Sequence, residues 1–148
     1  MAAVLQFYRA PEAEQAGVTL GIPREGDAGF DLPAVQDTEI APKSFLAVKT
    51  GIHLAIPEGF VGLVRDRSSV ALRGGVCSAG VIDASYRGEV KVVMHNMSDT
   101  AIQFKKGDRI AQILILPFLP GSQSSQVTAL EHLGDTVRGA GGFGSTGK

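Results

Sequence analysis

With 148 residues, 44% of them hydrophobic and 20% charged, the chain has the composition of one ordinary folded domain and is too short for two good cores. A net charge of −1 gives no electrostatic footprint for nucleic acid, and no apolar run approaches the ~20 residues of a membrane span. The N-terminal stretch MAAVLQFYRAPEAEQ lacks the basic-then-apolar order of a secretory signal, so a cytoplasmic protein is expected.

In chain order, the apolar pattern predicts short strands. Val4 to Tyr8 and Val18 to Ile22 are the first candidates. Val48 to Ile56 alternates Ile52, Leu54 and Ile56 with His53 and Ala55, and stops at Pro57-Glu58-Gly59. Phe60 to Arg65 resumes, with Val61 and Leu63 on one face. Ser68 to Arg73 suits one helical turn, closed by Gly74-Gly75, with Ser68 as its cap. Glu89 to His95 sets Val90, Val92 and Met94 on one face against Glu89, Lys91 and His95. Ala101 to Phe104 is brief. Ile110 to Leu116 is apolar almost throughout, as in a strand buried on both faces, and Pro117 ends it. No segment carries a helical apolar stripe of ordinary length. Many short strands broken by Gly and Pro predict an all-β, jelly-roll-like barrel or sandwich.

Cys77 is the only cysteine, and His53, His95 and His132 are scattered. Neither a disulfide framework nor a zinc ligand set is expected. Each histidine reads as a surface or satisfied side chain. Glycine is the compositional excess, 19 of 148 residues, about 13% against a typical ~7%. Five of these glycines fall in the tail, Arg138 to Lys148. Gly139, Gly141 and Gly144 spell GxGxxG, and Gly142 to Lys148 begins like a P-loop. Both motifs need a following helix, and only four residues follow Gly144, so neither reading is kept. The tail then has two readings. It is a frayed Gly/Ser end, or its backbone N–H groups with Arg138, Ser145, Thr146 and Lys148 suit a polyanion while Phe143 stacks on a base.

Five segments then stand out: Ala28-Gly-Phe-Asp-Leu32, Arg67-Ser-Ser-Val-Ala71, Gly80-Val-Ile-Asp-Ala-Ser-Tyr-Arg-Gly88, Gly107-Asp-Arg-Ile-Ala-Gln112, and the tail. In this order they resemble the five motifs of the trimeric dUTPases, across about residue 26 to residue 147. The resemblance implies one domain over residues 1–148, with residues 137–148 as a mobile lid. It implies a homotrimer with shared active sites. It also implies Mg²⁺-assisted hydrolysis of dUTP to dUMP and pyrophosphate, which keeps uracil out of DNA and supplies dUMP for thymidylate synthesis.

The site residues follow by resemblance. Asp83 becomes the catalytic base that activates water, although an Asp in a turn also serves as a backbone cap. Tyr86 becomes a platform under deoxyribose, unless it simply packs in the core. Gly80, Val81 and Ile82, with Lys91 on the returning strand, pair with uracil. Arg67, Ser68, Ser69 and Gln112 hold phosphates. Asp31 orders the water and Mg²⁺ network or caps a turn. Arg109 is read as a structural ion-pair partner. Arg138 reaches the γ-phosphate, Phe143 covers uracil, and Gly144, Ser145 and Thr146 close over the phosphates. Mg²⁺ binds through substrate phosphates and not through a protein cage. Ser69 stands where Gly is common in the family, Asp66 where Pro is frequent, Phe30 where Tyr is commoner, and Cys77 where some relatives carry Asn. The competing enzyme of this fold, dCTP deaminase, needs a catalytic Glu at the position of Val93. Two non-catalytic functions also compete: a nucleotide sensor that uses the same pocket, and a generic structural β-domain.

Overall fold

The computed structural model describes residues 2–142. It falls into two compact units that divide after Phe118. The first contains β1 (Gln6–Arg9), α1 (Pro11–Ala16), β2 (Phe30–Pro33), β3 (Thr38–Ile40), β4 (Phe45–Val48), β5 (Ile52–Ala55), β6 (Phe60–Asp66), α2 (Ser68–Ala71), β7 (Gly75–Ser78), β8 (Val81–Ile82), β9 (Val92–Asn96), β10 (Ile102–Phe104) and β11 (Arg109–Pro117). The second contains 3₁₀ turns at Gly121–Gln123 and Leu130–Leu133, and none of its described residues is buried.

The strands form four antiparallel sheets: β1–β5, β10–β3, β2–β11–β6–β8 and β4–β9–β7. This is the expected all-β architecture. The nine-residue β11 lies between β2 and β6, with a register shift between Arg109 and Ala111. Val90, Val92 and Met94 are fully buried, as their alternation predicts. Ile52, Leu54 and Ile56 join them in one core with Ile40, Phe104, Ile110 and Ile113. Two polar side chains share that core with their bonding complete. Asn96 donates from Nδ2 to the carbonyls of Ile40 (3.0 Å) and Thr100 (2.8 Å), while its Oδ1 accepts from Ser98 N–H and Oγ–H. Thr50 Oγ1 donates to the Val90 carbonyl at 2.5 Å. The bonds to Ile40 and Val90 cross between segments far apart in sequence, and buried polar groups without such partners would be costly.

The structure corrects several expectations. Val18 to Ile22 is not a strand; it contributes one isolated bridge, Gly21 to Asp31. The Val48 to Ile56 run is split at Lys49–Gly51 into β4 and β5. β11 is buried on both faces only toward its start, and Leu116 is exposed. A short helix, α1, forms where none was expected, opened by Pro11 at its first position and closed by Gly17 in the left-handed region. Arg67, not Ser68, occupies the cap position of α2, and Ser68 is the helix's first residue.

β6 carries Val61 and Leu63 on one face, as expected, but that face is not the buried one. Its buried residues are Gly62 and Val64, while Val61 and Leu63 are half-buried on the other face. Gly62 hides the inward phase because it has no side chain to mark it. A Cβ there would lie 2.7 Å from Ile113 Cδ1 and 2.9 Å from Ile56 Cδ1, so those side chains already fill the place. Gly62→Ala is therefore expected to destabilise the fold by about 1–3 kcal/mol through overpacking, read as a lower urea midpoint at unchanged slope. A variant as stable as the parent would mean that the core absorbs the methyl group.

Candidate functional site

Of the expected site residues that are described, all but Gly80 and Arg138 line two cavities that share no lining residue. The first, about 410 Å³, is lined by Ala79, Val81, Ile82, Asp83, Tyr86, Glu89 and Lys91. Its wall is β8, the last strand of its sheet, which pairs through Gly62↔Ile82 and Leu63↔Val81. The preceding Gly80 gives its carbonyl to Val64 N–H at 2.8 Å. One edge of this segment is thus bonded to β6, and its other edge has no strand neighbour among the described residues. Such an edge leaves backbone N–H and C=O groups open to a partner.

Beyond β8 the chain turns at Asp83. Tyr86 N–H donates to the Asp83 carbonyl at 3.0 Å, and Tyr86 Oη–H donates to the Glu89 carbonyl at 3.0 Å. The ring lies so close over Gly88 that a Cβ there would overlap its hydroxyl. Tyr86 is therefore neither loose nor core: it is held as an exposed plate at the cavity wall. Asp83 is exposed beside it. Arg87 Nη1 closes the turn on the carbonyls of Ala84 (2.6 Å) and Tyr86 (3.0 Å).

The second cavity, about 760 Å³, brings together Asp31, Arg67, Ser68, Ser69, Arg109 and Gln112, with Arg24 and Asp27 at its margin. Asp31 on β2 lies in register with Gln112 on β11. Its Oδ1 is 2.9 Å from Arg67 Nε, and its Oδ2 is 3.6 Å from Arg109 Nη1. The ion-pair reading of Arg109 holds, and the same carboxylate also fixes Arg67. Gln112 Nε2 donates to the Asp66 carbonyl at 2.9 Å, which answers why a lone polar residue stands on an apolar strand. A Cβ on Gly29 would overlap Gln112 Oε1, so the backbone of the AGFD motif lies against that amide. Two arginines, two hydroxyls and an amide line this hollow together with the carboxylates of Asp27 and Asp31, a donor set of the kind that binds anions.

Asp66, at the family's frequent Pro position, uses the change: its Oδ1 accepts the Cys77 N–H at 2.6 Å and ties β6 to β7. Burial first, then the neighbouring Asp66 carboxylate, pushes the Cys77 thiol up to about 12. The thiol stays protonated and unreactive at neutral pH.

Arg138 is exposed in the second unit, where its Nε donates to the Gly141 carbonyl at 2.8 Å. Phe143, Gly144, Ser145 and Thr146 lie outside the described residues. Sequence reasoning missed Ala79, Glu89, Arg24 and Asp27. Alternation had assigned Glu89 only to an outer face. Arg24 and Asp27 sit in the turn just before the AGFD motif, linked at 3.5 Å, and nothing in their own pattern marked them. Among the described residues no group of three or more His, Cys, Asp or Glu could cage a metal ion, and no helix is long and apolar enough to cross a membrane.

A family model described as dUTPase matches residues 18–147. The deoxyuridine 5′-triphosphate nucleotidohydrolase of Mycolicibacterium vanbaalenii is 47% identical over 133 residues, covering 83% of each chain. That of Anaeromyxobacter sp. is 43% identical over 140 residues, covering 90% of this chain and 92% of its own. Among solved structures, the Staphylococcus bacteriophage 80alpha dUTPase with dUPNHPP superposes with a TM-score of 0.85 at 27% identity, covering 99% of this chain and 100% of that one. A mutant dUTPase from phage phi11 of S. aureus, which shows how a structural Mg(II) ion is coordinated, gives 0.74 at 26% identity over 86% of this chain and 99% of that one.

Proposed function

The chain belongs to the dUTPase family, and on that premise we propose that its two cavities are the two halves of one kind of active site. The protein is a deoxyuridine 5′-triphosphate nucleotidohydrolase. It converts dUTP to dUMP and pyrophosphate, lowering the dUTP available for incorporation into DNA and supplying dUMP for thymidylate synthesis.

In the proposed reaction, the β8 edge from Gly80 to Ile82, with Lys91, receives uracil, and Tyr86 lies under deoxyribose. Asp83 takes a proton from water as the water oxygen bonds to the α-phosphorus and the bond to the pyrophosphate oxygen breaks. Arg67, Ser68, Ser69 and Gln112 hold the phosphates, with Arg67 kept in place by Asp31, which also borders the phosphate water. The observation that carries this reading is a separation: the residues proposed here for base and sugar line one cavity, and those proposed for phosphate line another. A homotrimer whose copies each lend one half to a shared site accounts for that division.

dUTPases use Mg²⁺. The donors here fit an ion carried on the triphosphate, since the Asp31 carboxylate is taken up by two arginines. When bound, the ion neutralises phosphate charge. For residues 137–148 we propose a closing arm of the single domain, with Arg138 on the γ-phosphate, Phe143 over uracil, and Gly144, Ser145 and Thr146 at the phosphates. The setting we propose is the cytoplasm. The deaminase reading fails on β9, where Val93 brings no acid between the buried Val92 and Met94.

The test is pyrophosphate release with Mg²⁺ from dUTP against dCTP, dTTP and UTP. We expect turnover of dUTP alone at low substrate. Equal rates on dUTP and dTTP would defeat the β8-edge model, and ammonia release from dCTP would restore the deaminase.

A further inference from the structure

Most hydrogen bonds of the Asp83–Glu89 turn run within the turn itself, from Tyr86 to Asp83 and Glu89 and from Arg87 to Ala84 and Tyr86. Such bonds shape the turn and leave its placement against the barrel undetermined. Two side-chain bonds tie it to the segment at β5. Glu89 Oε2 accepts Gly51 N–H at 3.2 Å at the base of the turn. Closer to the tip, His53 Nδ1 lies 2.9 Å from the Arg87 carbonyl, one residue from Tyr86. A carbonyl can only accept, so Nδ1 carries the hydrogen. That hydrogen is present in the neutral Nδ1–H tautomer and in the cation alike.

The ring is itself held. His53 sits on β5, half-buried, facing Glu89 through an isolated bridge and packed against the Tyr8 ring at 5.7 Å and 58°. The adjoining backbone is fixed by Val90 N–H donating to the Ile52 carbonyl at 2.8 Å. This is a rigid donor aimed at the residue after the sugar plate.

We propose that His53 is a positioning residue for sugar recognition: through the Arg87 carbonyl it sets the height of the Tyr86 ring, and so the room left for a 2′-hydroxyl. The proposal rests on Tyr86 lying under the sugar, as in the function proposed above. His53 touches no reacting atom.

Two variants separate the donor from the ring. His53→Phe keeps the packing on Tyr8 and loses the donor. His53→Asn loses the ring but places an amide N–H as many bonds from Cβ as Nδ1. For each, we would measure kcat and KM for dUTP and UTP, and the Kd of dUMP and UMP by calorimetry. In His53→Phe the KM for dUTP and the Kd of dUMP are expected to rise roughly 3- to 10-fold, the range one neutral hydrogen bond gives, with kcat changed less. The preference for deoxyribose falls by a similar factor, and His53→Asn restores it. Unchanged preference in His53→Phe overturns the proposal. So does a His53→Asn variant whose preference for deoxyribose falls 3-fold or more below the parent's, a result readable even if the Phe variant fails to fold. Because the nucleotide Kd values need no turnover, a parent protein that prefers dUMP but hydrolyses nothing would sink the catalytic reading and leave the His53 result standing.

Discussion

Asp83→Asn is expected to lower pyrophosphate release from dUTP by about 10²–10⁴-fold, the usual worth of a positioned general base, while the protein melts as the parent does. The fold should be indifferent because Asp83 is exposed and its link to the turn is its carbonyl, which accepts Tyr86 N–H and is retained in Asn. dUMP should still bind, since uracil and sugar contacts come from other residues. Steady-state rates, a thermal melt and calorimetry with dUMP check the three parts. Full activity would remove Asp83 as the base. The same variant also tests the division of the site. Arg67→Ala removes from the other cavity the guanidinium proposed to hold phosphate. If copies share sites, refolding the two inactive variants together should return part of the activity, because some mixed sites then draw an intact Asp83 and an intact Arg67 from different copies. No recovery on mixing, or an active monomer by sedimentation, would break the shared-site model.

Removal of Arg138 to Lys148 is expected to cut turnover by about 10²–10³-fold, as loss of a preorganised charge contact does, with melting nearly unchanged. The stability half follows from packing: every buried hydrophobic residue described lies between Ala13 and Ile113, so truncation removes nothing from that core. The activity half follows from charge, since Arg138 is the cation assigned to the γ-phosphate. Arg138→Ala in the full chain should reproduce much of the loss. A truncated protein that unfolds, or one that turns over dUTP at the parent rate, would defeat the arm reading.

How far the sequence reaches differs from residue to residue. Val90, Val92 and Met94 were legible because a strand buried on one face must alternate, and their burial is complete. The Ser68 to Arg73 turn was legible from its flanking glycines, and its helix spans Ser68–Ala71. Which face of β6 is buried was not legible, because Gly62, a core position filled by neighbouring side chains, leaves no apolar letter in the chain. Arg109 was read as an ion-pair partner, but its acid, Asp31, lies on another strand and only the β2–β11 register names it. His53 read as a surface or satisfied histidine, and it is satisfied, but its partner, the Arg87 carbonyl, depends on what folds against it.

The local pattern by itself determined the short strands, the all-β class, and the five ordered motifs that carry the family resemblance, since each of these depends on neighbours in the chain. Only the tertiary structure decided that the first four motifs divide between two cavities, that Asp31 pairs with Arg67 and Arg109, and that His53 reaches the Tyr86 turn. Those relations join residues tens of positions apart, and their geometry is set by strand pairing and close packing, which leave no periodic trace in the letters.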